Sequence, residues 1–185
     1  VFSIEADVYL YNGKLVVAHD RKELPAAPSL DSLYLQPIVA LFAKHGGRIN
    51  SESNYAPILM IDIKENGAVV LAKLLSMLQV YRSVFDRTVN KLAVQIVISG
   101  DRGPITAWSS YAPLFFFDGR PYEVYDAATL ERVAFISDGY ANYKNNTNGI
   151  EQAASAIHSK QKLFRLWGYA DTLNMWQQVL QWGVD

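Results

Sequence analysis

Cysteine is absent from the 185-residue sequence. That removes disulfides, zinc–thiolate sites and cysteine nucleophiles together, and it leaves the compartment open. A surplus of either charge is also missing. Seventeen Lys and Arg stand against 18 Asp and Glu, a formal net charge of −1. No basic stretch tracks along the chain, so no extended electrostatic grip on nucleic acid is expected. A local cationic pocket for one phosphate remains compatible with this balance. Long hydrophobic runs are lacking as well. Val94–Ile98 and Leu114–Phe117 are strand-sized, and neither a membrane span nor a signal peptide is predicted. What is present is a chain that is half apolar and 12% aromatic, enough for a real core.

The pattern along the chain predicts one domain over residues 1–185. Phe2–Leu10 alternates as a strand, with Ile4, Ala6, Val8 and Leu10 on one side and Glu5, Asp7 and Tyr9 on the other. Asn12-Gly13 signals a tight turn, and Lys14–Ala18 resumes as a second strand that ends at His19-Asp20. A helical pattern runs from Ser29 to Gly46-Gly47, with Pro37 allowing two pieces. Further strands are predicted at Pro57–Lys64, Ala93–Ser99, Leu114–Phe117, Arg132–Ser137 and Leu163–Tyr169. Helices are predicted at Gly67–Tyr81, Ile150–Ser159 and Thr172–Trp182, and a polar loop at Asn145–Gly149. Strands alternating with helices predict a parallel α/β sheet. A (β/α)8 TIM-type barrel usually needs about 250 residues, so the expectation is such a barrel, incomplete at both ends. Val1 opens directly into an apolar strand and Asp185 follows a helix directly, so both ends read as cut.

The chemistry lies in the placement of the acids. Glu5 and Asp7 are two apart on one strand and face the same way. Asp62 and Lys64 repeat that geometry on a second strand. Both pairs lie near the C-terminal halves of their strands, where parallel α/β folds carry their sites. Carboxylates converging from neighbouring strands repel unless a cation joins them, and Glu5, Asp7 and Asp62 suit calcium or magnesium. His19, returning across the hairpin, is a candidate acid or base. Lys64 is a candidate holder of a phosphate oxygen. Each feature also has a plainer reading: a solvated strand face for Glu5-x-Asp7, a surface position for His19, an exposed ion pair for Asp62-x-Lys64. Trp167 reads equally as pocket mouth or core. Ser99 and Ser137 read as turn starts or ligand-facing strand ends, and Gly100–Gly103 lacks phosphate-loop spacing. The orientation of Arg165 is open, and Tyr140 and Tyr143 are taken as loop residues.

Ser3–Leu10 followed by Asn12–Asp20 resembles the signature of the glycerophosphodiester phosphodiesterase and phospholipase C-like family: E-x-D, a short hairpin, then an apolar run into H-D. Leu59–Lys64 is similar to the family's later acid-x-Lys strand, with Asp62 in place of the commoner Glu. Arg165–Tyr169 and the helix after it resemble its last repeats. The resemblance implies a metal-dependent phosphoric diester hydrolase acting on a glycerophosphodiester or phospholipid-type head group. Its cation would sit on Glu5, Asp7 and Asp62, with His19 as proton donor to the leaving oxygen. Lys64 and Trp167 would contact a small phosphodiester substrate. Location outside the cytoplasm is the family-based expectation. The resemblance also implies a second histidine on a strand upstream of Glu5. None precedes it here, and His45 and His158 read as surface residues, so a chain truly beginning at Val1 is expected to be weakly active or inactive. The alternatives are an impaired barrel kept as a binding module and a two-carboxylate glycoside hydrolase. Calcium versus magnesium, the substrate alcohols and the oligomeric state are not legible.

Overall fold

The computed structural model describes residues 3–52, 55–144 and 146–185. The predicted polar loop at Asn145–Gly149 therefore falls partly outside the described residues, as does the start of the predicted first strand. The chain divides into two compact units, Val1–Phe116 and Phe117–Asp185.

In the first unit, β1 (Ser3–Tyr11) and β2 (Lys14–Val17) form an antiparallel hairpin. Asn12 and Gly13 both take positive φ, 47° and 73°, the backbone that a two-residue primed turn demands. Parallel to β1 runs β3 (Ile58–Ile63), and parallel to β3 runs β4 (Gln95–Gly100). Leu59, Met60, Ile61 and Ile63 are all buried, as expected of a strand covered on both faces. Between β1 and β3 the chain forms one π-type turn (Asp31–Leu35) that runs on into α1 (Gln36–Lys44). Pro37 sits in the first turn of α1, where its missing N–H costs nothing. So Pro37 marks the join of two helical pieces, as the sequence suggested.

After β3, α2 (Gly67–Leu78) buries Val70, Leu71, Leu74 and Leu78, and a 3-10 turn leads into α3 (Arg82–Phe85). Gly67–Phe85 together reach 19 residues and are apolar enough to cross a membrane by length and composition. The expectation that no stretch attains that size is corrected on this point. The physical reason for the apolarity is visible: those leucines and Val70 are core residues.

In the second unit, β6 (Val133–Gly139) runs parallel to β7 (Leu163–Trp167), and the end of β5 (Phe115–Gly119) runs parallel to β6. Among the described residues this unit has the helices α4 (Ala127–Glu131), α5 (Asn148–His158) and α6 (Leu173–Gln181). Asp126 caps α4 by accepting the Thr129 N–H at 2.7 Å, and Thr172 caps α6 through the Met175 N–H. Ser137 lies inside β6 and is fully buried, so it does not begin a turn. The Tyr143 hydroxyl donates to Asp138 at 2.7 Å, and burial together with that carboxylate pushes the phenol up. Tyr143 is thus tied to the strand end rather than being a loose loop residue. Ordered α/β units with parallel strands are present; closure into an eight-stranded barrel is not among the described features.

Candidate metal and phosphate site

The site is built by register. Asp7 on β1 is the direct partner of Asp62 on β3, and Asp62 is the direct partner of Ser99 on β4. Partners in a parallel sheet point to the same face, so two carboxylates and a hydroxyl form one row across three strands. Glu5 sits one pleat back on the same face of β1. One oxygen from each of Glu5, Asp7 and Asp62 lies within 4.8 Å of the others. Ser99 is buried and lies within its strand, so it belongs to this row rather than to a turn. The signal for it in the sequence is its position at the C-terminal end of a buried strand.

Lys64 follows β3 and reaches back over the row. Its ammonium lies 3.0 Å from Asp7 Oδ1 and 2.6 Å from Asp62 Oδ2. The Lys64 N–H also donates to Val8 O at 3.0 Å, which sets where the side chain starts. Partial burial pulls the ammonium's pKa down, but hydrogen bonds to Asp62 and Asp7 outweigh it and the net shift is upward. Lys64 therefore holds its charge between the two carboxylates. The exposed surface pair with Asp62 alone is replaced by a two-carboxylate bridge.

His19 arrives from the hairpin. Ala18 N–H donates to Asp7 O at 3.1 Å, and His19 Nδ1 lies 2.8 Å from Asp7 Oδ2. The imidazole is otherwise 81% exposed. The hydrogen bond to Asp7, then the charges of Asp7 and Asp20, raise its pKa above 6.5. A protonated imidazole with Nδ1 on Asp7 directs Nε2 away from the carboxylates.

Gly100 closes the third side. Its φ is +68°, and a Cβ there would stand 2.2 Å from Asp62 Oδ1 and 2.2 Å from Ile63 O. Only glycine lets the β4 end pass this close to the Asp62 carboxylate. Next to it, the Asp101 N–H donates to Ile63 O at 2.7 Å and Asp101 Oδ2 accepts the Gly67 N–H at 2.8 Å. This ties the ends of β3 and β4 to the start of α2.

The donor set is three carboxylates and suits a hard divalent cation. Ligands held about 2.3–2.6 Å from one ion lie within roughly 5 Å of each other, the span that these oxygens already have. Glu5, Asp7 and Asp62 are thus brought together as the sequence suggested, with His19 and Lys64 on them. Trp167 is placed in the second unit, at the last position of β7. It is 51% exposed and rests with its ring 3.1 Å from where a Gly139 Cβ would stand. The plain-core reading of Trp167 is excluded. His45 caps the end of α1, and His158 Nε2 lies 2.8 Å from Asp185 Oδ2.

Comparison with known proteins bears on the fold and the family. Over its whole length the chain is similar to the crystal structure of a glycerophosphodiester phosphodiesterase from Parabacteroides distasonis. The TM-score is 0.57 at 17% identity, covering 77% of that chain, which speaks for the fold. The chain is 30% identical over 92 residues to the altered inheritance of mitochondria protein 6 homolog of Arthroderma benhamiae. That alignment covers 43% of this chain and 29% of the relative, so the chain matches under a third of that protein's length. Residues 1–116, which contain every group in the carboxylate row, match the AIM6-like phosphodiesterase domain, and the chain belongs to that family.

Proposed function

We propose that the chain carries the active centre of a metal-dependent phosphoric diester hydrolase acting on a glycerophosphodiester or phospholipid-type head group. The observation that carries this reading is the row itself: Asp7 and Asp62 in register on adjacent parallel strands, Glu5 converging, and His19 bonded to Asp7. Glu5, Asp7 and Asp62 would hold a calcium or magnesium ion. When bound, the ion supplies Lewis-acid polarisation of the phosphodiester and stabilises charge on its oxygens.

The chain's own groups would do the rest. Water, or a neighbouring hydroxyl of the substrate, attacks phosphorus, and the bond from phosphorus to the leaving alcohol oxygen breaks. His19 gives its Nε2 proton to that oxygen. The hydrogen bond to Asp7, and then its charge, favour the protonated ring. Asp7 keeps the ring turned outward and stabilises its positive charge. Lys64 supplies a fixed positive charge to a non-bridging phosphate oxygen. The resemblance would give the nucleophile's proton to a histidine upstream of Glu5, which this sequence does not contain, so here that proton passes to solvent; neither His45 nor His158 is assigned that role. Trp167, in the second unit, offers an exposed indole at the C-terminal end of its own strand.

The test is hydrolysis of bis-p-nitrophenyl phosphate and glycerophosphocholine, with and without chelator, alongside calorimetric titration of calcium and magnesium. The reading expects cation binding that Asp62→Asn weakens, and turnover abolished by chelator and strongly lowered by His19→Ala. Turnover indifferent to chelator sinks the metal mechanism. Cation binding with no turnover on either diester leaves a binding module.

A further inference from the structure

The His19 imidazole is exposed, and the side-chain bond described for it is the one to Asp7. A proton donor so placed needs its backbone fixed, and β2 ends two residues earlier at Val17. Beyond Ala18, whose N–H donates to Asp7 O, the backbone N–H groups of His19 and Asp20 both donate to a single oxygen, Glu23 Oε2, at 2.9 and 3.2 Å. This is the reach-back half of a capping box at the start of the 3-10 turn Arg21–Ala26. The turn is itself anchored on both sides of Glu23. Leu24 packs against the buried cluster of Tyr9, Val16 and Ala18, beneath the hairpin that carries His19. Arg21 is ion-paired to Glu65, one residue beyond Lys64.

The geometry points to Glu23 as a positioning residue for His19, one that acts through the His19 backbone and touches neither cation nor substrate. The inference rests on the proposed role of His19 as proton donor. Removing the carboxylate frees two N–H groups at the base of the side chain and leaves Asp7 to hold the ring alone. A misplacement of about 1 Å at a reacting group costs up to 100-fold in rate. Nothing in the carboxylate row changes, because Glu23 supplies no oxygen to it.

The experiment compares Glu23→Ala and Glu23→Gln with the parent chain and with Lys22→Ala as a control for disturbing the turn. Three readouts are taken: kcat and KM on glycerophosphocholine, calorimetric calcium affinity, and the nuclear Overhauser effect between the His19 ring protons and the Asp7 Hβ protons. The expected result for Glu23→Ala is a kcat lowered about 10- to 100-fold with KM and calcium affinity unchanged and the Overhauser effect abolished. Glu23→Gln keeps an oxygen acceptor and is expected to restore most of kcat and of the Overhauser effect. An unchanged kcat in Glu23→Ala overturns the inference. So does a fall in calcium affinity that parallels the fall in rate, or an equal fall in Lys22→Ala. If the parent turns over no diester, the proposed function falls, and the Overhauser effect decides this inference. Its disappearance in Glu23→Ala then upholds the positioning role, and its persistence overturns it.

Discussion

At the residue scale, His19 and Gly100 make opposite demands on their neighbours. The His19 ring stands in solvent, so its removal leaves no cavity. His19→Ala is expected to leave the melting temperature within about 2 °C of the parent, since substitutions at exposed positions barely move stability. The same change is expected to lower kcat by about 10²- to 10⁴-fold, the usual worth of a positioned proton donor. Thermal melts and steady-state kinetics on one preparation check both. Gly100 is the reverse case: a methyl group there collides with Asp62 Oδ1 and Ile63 O. Gly100→Ala is expected to destabilise by about 1–3 kcal/mol through its positive φ and to weaken calcium binding by displacing Asp62. Urea melts and calorimetry read the two effects. A Gly100→Ala chain with unaltered calcium affinity would show that Asp62 tolerates the shift.

At the scale of elements, the end of α3 is held by a buried carboxylate. Asp86 follows α3 and is buried. Its carboxylate accepts from the Arg82 guanidinium at 2.8 and 3.0 Å and from the Thr88 hydroxyl and N–H. Burial alone would push its pKa up, but Thr88 and Arg82 outweigh burial and hold it below 3.8. The sign follows from linkage: a folded value below the unfolded one gives stability that is full above the unfolded value. It is lost as pH falls through the folded value. Asp86→Asn is therefore expected to cost stability at pH 6, about 1.5–3 kcal/mol for hydrogen bonds to a charged group. The gap to the parent is expected to narrow as pH drops below 3.8. Urea denaturation of both chains at pH 6 and near pH 3 measures it. A gap that stays constant would mean that the ionised carboxylate contributes nothing.

On the scale of the whole molecule, the first unit holds the carboxylate row and the family match, while the second holds Trp167. A ligand that binds only the folded chain stabilises it by mass action, by about 2.7 kcal/mol at 100 times its dissociation constant. For a chain of this size each kcal/mol raises the melting temperature by about 2–4 °C. Saturating calcium or magnesium is thus expected to raise it by roughly 5–10 °C. Asp62→Asn is expected to abolish most of that rise. Scanning fluorimetry with and without chelator gives the answer, and an identical rise in Asp62→Asn would place the cation elsewhere.

What was legible in the amino-acid order was periodicity and spacing. The alternation in β1, the Asn12-Gly13 turn and the apolar run of β3 follow from local backbone rules, which need no distant contact. The same-face pairing of Glu5 with Asp7 follows from the pleat alone. Short elements such as α3, α4 and the 3-10 turn Arg21–Ala26 escaped, because a single turn carries too few residues for a period to show. Three things were decided only by tertiary structure. The register that sets Asp7 opposite Asp62, and Ser99 opposite Asp62, depends on which strands pair. The approach of Gly100 to Asp62 depends on the pairing of β3 with β4. The bridge of Lys64 to both acids depends on the field of a neighbouring strand. Covalent geometry dictates which way a side chain points; only the packing of segments far apart in the chain dictates what it meets.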